Sequence, residues 1–113
     1  MNLGKSIQSL RKRQGLTQEA LAERAGLSRP AISQIENNSV RPEQETLTRI
    51  CKVLDVPESL IYIHSFEKED VAASKQGMYD QLFPIIQNMI EQLAIEGNKP
   101  EVGRNEGSKE GGD

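Results

Sequence analysis

Between Gly15 and Pro42 the chain holds two short amphipathic stretches joined by a glycine-centred break, and this pairing constrains the fold more than any other feature. Thr17 offers a hydroxyl N-cap to the run Gln18 to Ala25, with Glu19 in the first turn where a carboxylate is favourable. Leu21, Ala22 and Ala25 share the inward face, and Gly26 breaks the helix. Ser28 then caps a second helix from Arg29 to about Asn37. Pro30 falls in its first turn, where the missing N–H has no intrahelical acceptor to lose. Ile32 and Ile35 point inward, so Arg29, Ser33 and Gln34 lie on the outer face. Two short helices on a tight turn, the second with a polar outer face, suit the DNA major groove, which is ~12 Å wide and admits one helix. Such pairs also occur in proteins with no nucleic-acid role, so spacing alone leaves the function open.

The flanking segments are helical too. Ile7 and Leu10 share a face with Leu3 one turn upstream. Asn2 is the N-cap of this helix, Arg11, Lys12 and Arg13 suit its negative end, and Gly15 stops it. After a loop from Asn37 to Pro42, Leu47, Ile50, Cys51 and Leu54 predict a fourth helix from about Glu43 to Leu54. Asp55 ends it, and Pro57 opens a fifth helix reaching about Ile63. The expectation is an all-α fold: a five-helix domain over residues 1–65, a polar linker over 66–77, an additional C-terminal helix over 78–96, and a disordered tail over 97–113. Beyond Gly97 only Val102 is aliphatic, too little to offset the entropy of ordering. Pro84 interrupts the C-terminal pattern, so regular helix begins near Phe83 or kinks there.

The net charge of −3 conceals an asymmetry. Residues 1–41 carry seven basic side chains against three acidic ones; residues 42–113 carry seven against fourteen. Because charges beyond a Debye length of ~8 Å are largely screened, a polyanion senses the basic end and the acidic remainder can face away. Cys51 is the single cysteine, which excludes an intramolecular disulfide; on an apolar helical face it reads as a small core residue. No apolar run approaches the ~18 residues of a membrane span, and Met1 to Leu10 lacks a signal-peptide core, which points to a cytoplasmic protein. There is no glycine-rich phosphate loop and no Cys/His ligand spacing, and the lone histidine, His64, has no evident partner. Neither an enzyme, nor a metal site, nor a cofactor is expected.

The run Leu16-Thr17-Gln18-Glu19-Ala20-Leu21-Ala22, then Ala25-Gly26-Leu27-Ser28, then Ile32-Ser33-Gln34-Ile35-Glu36-Asn37 resembles the Cro/repressor-type (XRE-like) helix-turn-helix regulators. The likeness continues through Pro42, Thr46-Leu47, Ile50, Leu54 and Val56 and covers about residues 3 to 63. It implies a sequence-specific transcriptional regulator binding a near-palindromic operator in double-stranded DNA as a homodimer. Carried over by position, Arg29, Pro30, Ser33 and Gln34 face the bases. Gln18, Ser28, Asn37 and Arg41 contact phosphates. Arg11 and Glu36 match a partly buried ion pair; by residue type alone both read as solvated charges. Asp55 stands where these regulators usually have glycine, so a non-glycine must adopt that turn.

Tyr79, Leu82, Phe83, Ile86, Met89, Ile90 and Leu93 follow the alternating three- and four-residue spacing of a helical seam. The reading adopted is a second copy, which makes 78–96 an oligomerisation element and these seven its dimerisation residues; its own domain and a different protein partner are the alternatives. Leu60, Ile61 and Tyr62 in the fifth helix are a rival pairing surface. A different class of function also fits, namely a protein-interaction module, such as an antitoxin or an adaptor to transcription machinery, working through the acidic C-terminal half.

Overall fold

The computed structural model of the chain describes residues 1–98, with side chains to Ala94. Six α-helices follow in order: α1 Leu3–Arg13, α2 Gln18–Ala25, α3 Arg29–Glu36, α4 Gln44–Leu54, α5 Glu58–His64 and α6 Gln76–Asn98. Two single-turn 3₁₀ segments, Lys68–Asp70 and Ala73–Lys75, lie between α5 and α6, and no strand forms among the described residues. The all-α expectation holds.

The local signals act as their chemistry dictates. Asn2, Thr17 and Ser28 each accept a backbone N–H from three residues on. Gly15 and Gly26 take the left-handed conformation that ends α1 and α2. Asp55 does the same after α4, with φ 56°, so the turn forms without glycine. Helices of eight residues are unstable alone in water, and burial holds them here. Ile7, Leu10, Leu21, Ile32, Leu47, Ile50, Leu54 and Ile61 are each less than 2% exposed. Burying each contributes about 2 kcal/mol of transfer free energy. Cys51 joins this core, and burial pushes its thiol pKa up to about 12, so it remains protonated and unreactive at neutral pH.

Two differences from expectation concern the C-terminal part. The segment 66–77 is folded back: Tyr79 Oη donates to the Phe66 carbonyl at 3.2 Å, and Gln76 Nε2 reaches the Lys68 carbonyl at 3.2 Å. Hydrogen bonds tie down a stretch whose side chains are too polar to bury. Secondly, α6 starts at Gln76 and runs through Pro84. That proline is exposed, as is Asp80, whose carbonyl loses its helical donor, so water can satisfy the orphaned oxygen. The helix also extends to Asn98, two residues into the expected tail; the rest of that tail lies outside the described residues. No helix among the described residues is long and apolar enough to cross a membrane.

Helix α6 packs against α1 and α5. Phe83, Ile90 and Ala94 are its buried apolar residues, Ala94 joining the main core, and Tyr79 stacks on Phe83 with ring centroids 4.7 Å apart. Polar latches accompany them. Glu91 takes Arg13 Nη2 at 2.8 Å and lies 2.9 Å from His64 Nε2, while His64 Nδ1 is 2.7 Å from Ser6 Oγ. Gln14 Nε2 donates to the carbonyls of Leu54 and Ala94 at 2.7 and 3.3 Å. The histidine that lacked a partner in the sequence thus sits buried between two, because Ser6 and Glu91 come from other helices.

Candidate nucleic-acid interface

Helices α2 and α3 pack on each other, α2 on α4, and α3 on α1. Ile32 and Ile35 anchor α3 inward, which leaves Arg29, Pro30 and Gln34 exposed and Ser33 half-buried on the outer side. Ser28 Oγ accepts from Ala31 N at 3.2 Å, so this hydroxyl starts the helix whatever else it touches. Arg29 is the first residue of α3, and there is no acidic residue in that first turn. A cation there opposes the helix dipole, whose positive end favours anions. Placement against local preference of this kind is expected where function, not folding, selects the residue.

Beneath the exposed face lies a charged brace. Arg11 and Glu36 are both buried, and they pair twice: Nε to Oε2 at 2.6 Å and Nη2 to Oε1 at 3.0 Å. Arg11 Nη1 also donates to the Leu16 carbonyl at 2.7 Å, and Gln18 Nε2 donates to Glu36 Oε1 at 3.0 Å. One carboxylate at the end of α3 therefore receives donors from α1 and from the start of α2. Gln18, half-buried, carries a bracing role that residue type and position did not announce.

The loop after α3 is held as firmly. Asn37 is exposed, and its Oδ1 accepts from Ser39 N at 2.9 Å. Asn38 adopts φ 64°; its Oδ1 accepts from Gly4 N at 3.2 Å and its Nδ2 donates to Asn2 Oδ1 at 2.7 Å. A Cβ on Gly4 would collide with the Ile35 and Glu36 carbonyl oxygens, so α1 approaches the end of α3 at glycine distance. Arg41 is exposed beyond this pinned turn. Gly4 and Asn38 were not among the anticipated residues; a glycine inside a helical run was the available signal.

Thr17 and Ser28, the N-caps of α2 and α3, stand exposed with Arg29, Pro30 and Gln34 of α3 and Asn37 and Arg41 of the loop that follows, and the brace fixes α3 relative to α2. The six seam residues outside Tyr79 divide: Phe83 and Ile90 are buried within the chain, whereas Leu82, Ile86, Met89 and Leu93 are exposed. In the rival surface Ile61 is fully buried, leaving Leu60 and Tyr62 half-buried.

A capped helix pair on a left-handed glycine turn, the second helix presenting a polar face above a buried brace, defines a helix-turn-helix domain. Residues 7–61, just under half of the chain, match the helix-turn-helix family model, and this domain is of the Cro/repressor (XRE-like) helix-turn-helix type. It is 34% identical over 62 residues to an uncharacterised HTH-type transcriptional regulator of Mycobacterium tuberculosis, a match covering 55% of this chain and 44% of that protein. It is 44% identical over 50 residues to the HTH-type transcriptional regulator PuuR of Escherichia coli, covering 44% of this chain and 27% of PuuR. With the immunity repressor protein of Bacillus phage phi105 the identity is 38% over 61 residues, covering 54% and 42%. The chain spans less than half the length of these three relatives. No solved structure matches it.

Proposed function

We propose that the chain is a sequence-specific transcriptional regulator that reads a near-palindromic operator as a homodimer, with α3 in the major groove of each half-site. The observation that carries this reading is Arg29, exposed at the start of a braced α3 against the helix dipole. Arg29 is suited to guanine O6 and N7, Gln34 to adenine, and Pro30 to a thymine methyl, with Ser33 between them. Gln18, Ser28, Asn37 and Arg41 flank this face and hold phosphates. The regulator and repressor names of the relatives support the same role.

Selection of bound sites from random DNA at several salt concentrations tests it. A two-fold repeated motif is the expected product, and its absence at low salt would count against operator reading. Within the selected site, Arg29→Ala is expected to cost ~1–3 kcal/mol and to relax preference at one base position. Gln18→Ala should weaken all sequences alike and leave the salt dependence unchanged, since the side chain is neutral. Arg41→Ala should flatten the slope of log K against log salt by ~0.9. If Arg29→Ala left the ranking of operator variants intact, the base-contact assignment would be wrong.

A further inference from the structure

The outer side of α6 carries a continuous apolar stripe distinct from the buried one. Met78, Leu82, Ile85, Ile86, Met89 and Leu93 each remain between 40% and 60% exposed. On a helix with 3.6 residues per turn these six fall on one side, over a length of ~22 Å. Gln81, Asn88 and Gln92 border the stripe and are uncharged. The charged residues between Met78 and Leu93, Asp80 and Glu91, are engaged elsewhere, with Lys68 at 2.9 Å and with Arg13 and His64.

Their order is symmetric. From the point between Ile85 and Ile86, the next exposed apolar residue lies three positions out in each direction, Leu82 and Met89, and the next a further four, Met78 and Leu93. Reversing the helix reproduces the pattern. That is the property an isologous two-fold contact requires, because the same patch must complement itself.

The geometry points to a second copy of this chain as the occupant, with two α6 helices packed antiparallel through this stripe. Met78 then faces the partner's Leu93, Leu82 faces the partner's Met89, and Ile85 faces the partner's Ile86. An apolar hollow of about 240 Å³, lined among others by Phe66, Val71, Met78, Leu82 and Phe83, lies where the far end of the partner helix arrives. Roughly 100 Å² from each of six side chains gives on the order of 600 Å² per copy and 1,200 Å² per pair, the lower range of stable interfaces. Between Met78 and Leu93 the stripe itself carries no charge, and Lys75, which lines the hollow, falls at opposite ends of an antiparallel pair, well beyond a Debye length from its counterpart, so two identical copies meet without like-charge repulsion. This rests on the homodimeric reading above and names its surface: Met78 and Ile85 enter, while Phe83 and Ile90 are buried within the chain.

The full chain tests it by sedimentation equilibrium without DNA, alongside binding to a single operator half-site. The parent is expected to dimerise, and Leu82→Glu with Met89→Glu to raise the dissociation constant roughly 100-fold or more. Melting temperature and half-site binding should stay those of the parent, which separates a lost interface from a lost fold. Loss of half-site binding in the parent as well would sink the operator reading and leave the dimer result standing. Register is read by oxidative cross-linking. Ile85→Cys lies beside the two-fold axis and should form a disulfide-linked dimer; Met78→Cys should not, its partner copy being ~22 Å away, beyond disulfide reach. A monomeric parent, a charged variant that dimerises undiminished, a dimer dissociated by Tyr62→Ala alone, or Met78→Cys cross-linking as readily as Ile85→Cys would each overturn the proposal.

Discussion

A buried guanidinium is tolerable only when its donors are used, and Arg11 directs them to both Glu36 oxygens and to the Leu16 carbonyl. Replacing the pair by apolar side chains of similar size would change stability little, whereas removing one partner strands a charge. Glu36→Ala is therefore expected to lose about 3–5 kcal/mol in urea denaturation. The double change Arg11→Met with Glu36→Leu should recover most of it, while operator affinity stays low because Gln18 has lost its acceptor. By residue type, Arg11 and Glu36 belong on the surface, and only the likeness to known regulators paired them. The reason is general: local periodicity shows which face of a helix is apolar, but a contact spanning 25 positions leaves no mark on it. His64 was opaque for the same cause, its partners Ser6 and Glu91 lying 58 and 27 residues away. The caps were legible because Thr17, Ser28 and Asn2 act on backbone three residues distant.

At the level of elements, α6 shows what a hydrophobic stripe can and cannot say. The spacing from Tyr79 to Leu93 identified a helix with an apolar side, and the helix is there. It did not reveal that this side is wide enough to serve two neighbours. Phe83 and Ile90 are buried within the chain, and the outer residues stay exposed. Which half faces inward is set by the polar latch, since Glu91 meets both Arg13 and His64. Removing that carboxylate leaves His64 buried without its second partner. Glu91→Ala should accordingly loosen α6 by about 1–3 kcal/mol. In native-state hydrogen exchange the α6 amides should become on the order of tenfold faster or more, while the core of α1 to α4 keeps its protection. Equal loss throughout would mean that α6 and the helix-turn-helix domain unfold as one unit, and that the latch is part of a single core.

At the scale of the whole molecule, the overall negative charge and a DNA partner are reconciled by distance, and two copies would turn a weak reader into a selective one. The basic excess lies in residues 1–41, the part that holds α2, α3 and Arg41, and the acidic excess lies beyond it. If α6 joins two chains, each α3 is carried on a body latched to that helix, so the separation of the two recognition helices is set by packing and not by a loose tether. A rigid pair reading adjacent major grooves needs half-sites about one helical turn, ~34 Å, apart. Inserting five base pairs between the half-sites moves the second to the far side of the duplex. Affinity of the parent should then fall on the order of 100-fold, because the second contact is no longer intramolecular. The Leu82→Glu and Met89→Glu chain, binding each half-site alone, should be indifferent to the insertion. Titrating both proteins against the two DNAs by mobility shift, at one fixed salt, makes the comparison independent of the general electrostatic attraction. A parent equally indifferent to spacing would show that the two half-sites are read independently, and the homodimeric reading would fail even if α3 proved to touch the bases.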